Sequence, residues 1–235
     1  MELHPTRVEI DHRTIKLLVG VIAIALPILV SWLAAPDRLT SISASYWVPH
    51  WPQSIFTGFL FAIATLLAAY NGRSTSEMVA SKIAAVAAIL IPLFPCDCDG
   101  HTQIIPGVHY LAAAAMFLVL AFFCWRFLRR AWDKKQARAK ARAALYALCG
   151  LAILVSIAAL GLNADWHDQL SKGHPTFVYW FETTGLVAFG ISWLTASHVL
   201  PVINEPGERF SPLRAVNPPD HEIERPGTTK GYSLP

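Results

Sequence analysis

"VHYLAAAAMFLVLAFFCWRFLRRAWDKKQARAKAR", residues 108–142, runs without a break from an apolar stretch into a block of cations. Positions 108–125 contain no Lys, Arg, Asp or Glu. A run of this kind, extended to 108–128, matches the roughly 20 residues that cross a hydrocarbon core of about 30 Å. An interior helix of a soluble protein would show a polar face at a period of 3.6, and this one does not. Arg126, Arg129, Arg130, Lys134, Lys135, Arg138, Lys140 and Arg142 follow, eight of the chain's 19 basic residues. Lys and Arg are retained on the cytoplasmic side of short loops, so this connection fixes the orientation of the chain.

Five further apolar runs lie at 15–35, 54–70, 78–95, 143–162 and 176–200. The expectation is an all-α fold, a polytopic membrane bundle of six transmembrane helices. Its parts are a cytoplasmic N-terminal segment (1–14), the transmembrane domain (15–200) and a Pro-rich tail (201–235), whose polar composition reads as disordered. The first run is longer than a signal-peptide core and follows Glu2, Glu9 and Asp11, which reads as a retained helix. Alternation from the basic loop puts both termini inside. The loops near 36–53, 96–107 and 163–175 then face outward, and they hold only Arg38 and Lys172.

Composition agrees. Of 235 residues, 54% are hydrophobic and 15% charged, against about a quarter charged in soluble domains. A net charge of +3 concentrated in one loop reads as a topogenic segment on anionic headgroups, with no nucleic-acid partner. The four cysteines have neither zinc-finger nor thioredoxin spacing.

The outward loops collect polar chemistry. "FPCDCDGHTQIIPGVHY" (94–110) carries Cys96, Asp97, Cys98, Asp99, His101 and His109. Cys96, Cys98, His101 and His109 are candidate metal ligands, with zinc the metal that soft and imidazole donors suit. A Cys-x-Cys disulfide or a metal-free polar loop accounts for the same residues. His109 follows Pro106-Gly107 at a helix start, a place for a neutral, ligating or hydrogen-bonding imidazole. Glu182 lies within the sixth run, where a carboxylate is costly and faces the bundle interior with a polar partner, His109 or Tyr46 being the first choices. With Ser43 of "SISASYW" (41–47), Glu182 and His109 form the candidate catalytic set. Trp47, Trp51, Trp166, Trp180, Tyr46 and Tyr179 read as an interfacial aromatic belt. Cys124 and Cys149 read as small packing residues. Haem would need histidine pairs inside facing helices, and only His109 and His198 approach the membrane.

The order "SISASYW", "FTGFLFAIATLLAAYNG", "LFP…GVHYLAAAAMF", "FVYWFETTGLVAFGISWL" resembles a family of uncharacterised bacterial six-helix membrane proteins, over roughly residues 15–196. Members read Ser-Ile-Ser-x-Tyr-Tyr where this chain has Ser45-Tyr46-Trp47. The resemblance implies a bacterial inner membrane and a six-helix fold, and brings no activity with it. A looser likeness is to alkaline ceramidases and progestin–adiponectin receptors, seven-helix membrane hydrolases with a serine, an aspartate and three zinc-binding histidines. It would cast Ser43, Asp97 or Asp99, and His109 in those roles. The late His-x-x-x-His pair is missing, and Trp47 takes a histidine's place; both departures weigh against metal hydrolysis.

Two functions follow as expectations. One is a non-catalytic membrane protein whose outward polar pocket holds a lipid or small ligand, or serves a sensor or assembly role. The other is a membrane-embedded, metal-assisted hydrolase of a lipid-like substrate at the outer interface. The bilayer is the expected partner of both, and nothing in the chain names a protein partner.

Overall fold

The computed structural model describes residues 12–134, 136–166 and 168–211. It is all-helical. Six helices run α1 His12–Ala34, α2 Trp51–Ala69, α3 Thr75–Leu93, α4 Val108–Trp132, α5 Ala137–Asp165 and α6 Phe177–Ala196. Short 3-10 turns occupy Ser43–Trp47, Cys98–Gly100 and Pro206–Glu208. All of α1 to α5 are long and apolar enough to cross a membrane. The sixth, α6, is not in that group: Glu182, four hydroxyl residues after it and the aromatic hydroxyl of Tyr179 dilute its apolar character.

Local chemistry sets the helix ends. Pro52 opens α2, where its missing N–H is not needed. Ser74 caps α3, its hydroxyl accepting the Glu77 N–H at 3.3 Å. Gly107, at φ 82°, turns the chain into α4. At their basic ends the helices outrun the apolar segments. α4 continues to Trp132 and α5 begins at Ala137, because Arg, Lys, Gln and Ala are strong helix formers that need no lipid around them.

Each helix packs on its neighbours in sequence, and α6 returns against α1, closing a ring. Gly20 and Gly190 make that closure tight: a Cβ on Gly190 would stand 2.8 Å from the Gly20 carbonyl oxygen and 2.5 Å from Ile24 Cγ1. Inside sit Phe56, Tyr70, Phe123, Phe127, Phe189 and Trp193, with Ala84, Ala85, Ala87 and Ala88 letting α3 approach. The outer surface is also apolar: Ile28, Val86, Leu118, Leu148, Leu151 and Leu154 are all exposed. In water such a surface would drive association; against acyl chains it is the expected exterior.

The ring has two polar ends. One gathers the start of α1, the α2–α3 turn, the end of α4 and the start of α5. The other gathers the 36–50 and 94–107 segments, the end of α5 and the start of α6. Residues 201–211, expected in the disordered tail, are folded at the first end. Arg142 donates to the Ile203 carbonyl at 2.8 Å and to Asn204 Oδ1 at 3.0 Å, and the Phe210 N–H donates to the His198 carbonyl. A buried arginine needs acceptors, and this segment supplies them. The rest of that tail (212–235) and residues 1–11 of the N-terminal segment lie outside the described residues.

Candidate functional site

The second polar end is built around the 3-10 turn at Ser43–Trp47. A helical start leaves N–H groups without intrahelical partners, and side chains satisfy them here. Ser41 Oγ accepts from the Ala44 N–H at 2.9 Å. Glu182 Oε2, from α6, accepts from the Ile42 N–H at 2.5 Å. The N–H and the hydroxyl of Ser43 also lie close to this carboxyl group. Tyr179, one turn earlier on α6, ties the same region down. Its N–H donates to the Thr40 carbonyl at 3.0 Å, and its hydroxyl to the Pro27 carbonyl at 3.1 Å.

Ser43 is the hinge between two titratable groups. Its Oγ lies 3.1 Å from His109 Nε2. His109 Nδ1 faces two carbonyl oxygens, Phe94 at 3.0 Å and Ile91 at 3.2 Å. Carbonyl oxygens only accept, so Nδ1 carries a hydrogen and Nε2 is the variable nitrogen. Two arrangements of equal net charge satisfy every group. In one, protonated Glu182 donates to Ser43 and Ser43 donates to a bare Nε2. In the other, Nε2–H donates to Ser43 and Ser43 donates to the Glu182 carboxylate. Ser43 thus stands between the imidazole and the carboxyl group, bonded to the first and close to the second. His109 is 3% exposed and Ser43 9%, so bulk water does not compete.

The three candidate catalytic residues are thus brought together: Ser43 and His109 are 66 positions apart in sequence, and Ile42, beside Ser43, is 140 from Glu182. Of the two partners expected for Glu182, His109 is reached through Ser43. Tyr46 is instead packed edge-on against Trp47. The four candidate metal ligands are not brought together. Cys96 and Cys98 are joined in a disulfide, which removes the thiolates a metal would need. His101 stacks flat on Trp47, ring centroids 4.0 Å apart, and its Nδ1 faces its own loop's Cys98 carbonyl. Among the described residues no three His, Cys, Asp or Glu side chains are grouped to hold a metal ion.

Other expectations divide along physical lines. Trp51, Trp166 and Trp180 are exposed, as a belt requires. Trp47 is half-buried, and its Nε1–H donates to the Cys96 carbonyl at 2.9 Å, fastening the disulfide loop to the turn. Tyr179 is buried. Asp97 accepts from the Tyr110 hydroxyl and from Gln103 Nε2, which leaves it engaged within its own loop. Cys124 and Cys149 are free and buried.

Two residues went unnoticed in the sequence. Glu77 has a side chain with no exposure; it accepts from Arg126 at 3.0 Å, from Arg130, and from the Arg73 N–H at 3.0 Å. The Ser-x-x-Glu pattern of residues 74–77 was its available signal. Lys16 is buried inside α1, and no local pattern distinguishes it from a flanking lysine.

The fold and this cluster define a helical membrane protein with a buried cluster of Ser43, His109 and Glu182 at one polar end. No protein-family model, no curated protein and no solved structure matches the chain.

Proposed function

We propose that this chain is a six-span bacterial inner-membrane protein with both termini cytoplasmic, and that it binds a lipid beside the 41–47 turn. Membership of the six-helix family that its "SISASYW" segment resembles is part of the same proposal. The observation that carries it is a groove of about 530 Å³ between α2 and α3. Tyr46, Gln53, Ser54 and Thr57 line its polar end, Pro92 and Leu93 close it at the end of α3, and Gly58 and Phe61 continue it along α2. That order, polar near the loops and apolar deeper, matches a headgroup above an acyl chain. Gly58 leaves open space where a side chain would fill the groove. Glu182, Ser43 and His109 then serve to hold the turn that presents Tyr46.

The test is lipid retention. Purified protein should carry phospholipid through detergent exchange, as seen by native mass spectrometry, and Gly58→Phe should lose it while folding normally. Equal retention by both would refute the reading. Cysteine-accessibility labelling tests the orientation: position 101 should react from outside and position 136 only after permeabilisation.

One observation favours a second reading, a serine hydrolase of lipid esters or amides. Ser43 Oγ meets His109 Nε2 while Nδ1 is anchored, the orientation of a nucleophile and its base. Against it, the Ile42 and Ser43 N–H groups that could stabilise an oxyanion are spent on Glu182. Fatty acid released from vesicles by wild type and not by Ser43→Ala would move the assignment to the enzyme.

A further inference from the structure

At the opposite end of the bundle, cations outnumber the carboxylates that pair with them among the described residues. A cavity of about 70 Å³ is lined there by Lys16, Arg73, Arg130, Lys134, Arg142 and His198, among others. Lys16 is 6% exposed and points in from the first turns of α1. Among the described residues its ammonium has no carboxylate within ion-pair distance. Its close neighbours are ring faces, Tyr70 at 5.6 Å and Phe127 at 5.4 Å. Arg130 must share Glu77 with Arg126, and Lys134 and Arg142 share Glu208. Among the described residues, the five lining cations thus share two carboxylates, one of them also with Arg126.

Such an arrangement is costly on its own. An ammonium taken out of water needs a counter-charge, and converging cations repel one another in a medium of low dielectric. Cation–π contacts with two rings recover only part of that cost. A compact anion in the cavity would recover the rest. The volume is far below the roughly 300 Å³ of a pocket for a drug-sized molecule, so it accepts a single tetrahedral group and not a nucleotide. Arginine forks and a lysine ammonium are the donors that suit phosphate oxygens.

We propose that this cavity is a binding site for one phosphate group, carried either by an anionic phospholipid headgroup or by a soluble phosphate compound. The site lies at the other end of the bundle from the α2–α3 groove and does not rest on the lipid-binding reading given above. Lys16 is the central contact, with Arg73 and Arg130 around it.

Two arms test the proposal on the full chain. In the first, protein in detergent is titrated with inorganic phosphate at constant ionic strength and its thermal unfolding followed. In the second, protein is reconstituted in phosphatidylcholine vesicles with and without phosphatidylglycerol, and retained lipid is identified by native mass spectrometry. Wild type should gain stability with phosphate, enrich phosphatidylglycerol, or do both. Lys16→Met and Arg73→Gln should each weaken the effect about tenfold, the scale of one lost charge-assisted hydrogen bond. Arg73 is exposed, so its variant keeps the fold even if burial of Met at position 16 does not. Arg138→Gln removes a cation that pairs with Glu205 outside the lining and should change nothing. Gly58→Phe should also retain the effect, which separates this site from the groove. Phosphate stabilisation without phosphatidylglycerol enrichment assigns the site to a soluble ligand; enrichment assigns it to the headgroup. Absence of both overturns the proposal, and so does a loss in Arg138→Gln equal to that in Arg73→Gln.

Discussion

Replacing Glu182 separates what its carboxylate does from what its shape does. The group accepts from the Ile42 N–H at 2.5 Å and lies close to the N–H and the hydroxyl of Ser43. In Glu182→Gln the amide oxygen can still take the Ile42 N–H. The new NH₂ can donate to Ser43 Oγ, which then donates to His109 Nε2. It cannot accept from the Ser43 N–H, so one donor is orphaned. A buried donor without a partner costs about 1–3 kcal/mol. In Glu182→Leu both N–H groups are orphaned, which doubles the cost to about 2–6 kcal/mol. For a chain of this size each kcal/mol lowers Tm by roughly 2–4 °C. The expected order is therefore wild type, then Gln lower by about 2–12 °C, then Leu lower by about 4–24 °C. Thermal unfolding in detergent can be followed through the chain's eight tryptophans. A Leu variant that melts with wild type, or a Gln variant that melts below Leu, would refute the capping role. Ser43→Ala adds a further check: its cost should not add to that of Glu182→Gln, because the two side chains share one hydrogen-bond chain.

Acid should loosen the 201–211 segment. Burial holds His198 below its ordinary value of 6.5, so the unfolded chain binds the proton first and stability falls as the pH drops through that value. Glu208 is lowered chiefly by its hydrogen bond to Lys134, so its contribution is whole above its ordinary value of 4.5 and is lost as the pH falls through the lowered folded value. Tm measured from neutral to acid pH should drop in both ranges, and Glu208→Gln should flatten the lower one. Gly190→Ala should destabilise by about 1–3 kcal/mol, because its Cβ meets the Gly20 carbonyl and Ile24, whereas Gly58→Ala should be close to neutral; chemical denaturation in micelles compares them. Thiol alkylation after unfolding without reductant should label Cys124 and Cys149 alone, with all four cysteines labelled after reduction. Four adducts before reduction would show that the Cys96–Cys98 bond is absent.

Hydropathy made the six helices legible, because lipid-length apolar runs leave the backbone few other choices. It placed the ends less well. The run at 143–162 became a helix from Ala137, since hydropathy stops at Arg142 and Arg138 while backbone hydrogen bonding does not. The site was legible in its expensive residues. Glu182 stood out because a carboxylate among apolar neighbours demands a partner, and His109 because it begins a helix. Their partners were not legible. Glu182 is satisfied mainly by backbone N–H groups, which every residue carries and no sequence advertises. The disulfide stayed one of several readings, since Cys-x-Cys spacing permits it without requiring it. The basic pocket escaped notice because its cations come from three helices and the turns after α2 and α4, and the charge looked topogenic in each place alone.

The bond from the Ile42 N–H to Glu182 spans 140 residues, and that from Tyr179 Oη to Pro27 spans 152. Synthesis proceeds from the N-terminus, so the 36–50 loop leaves the ribosome long before α6 exists. Until then the Ile42 N–H and Ser43 N–H have only water to bond, and α1 and α2 are joined by a loop whose final shape is set by the last helix. Any nascent chain that stops before residue 182 would carry apolar helices of full length beneath an unfinished cap. Assembly of this bundle is therefore completed at the top of its first loop, and quality control that senses that loop would be reading the arrival of the sixth helix.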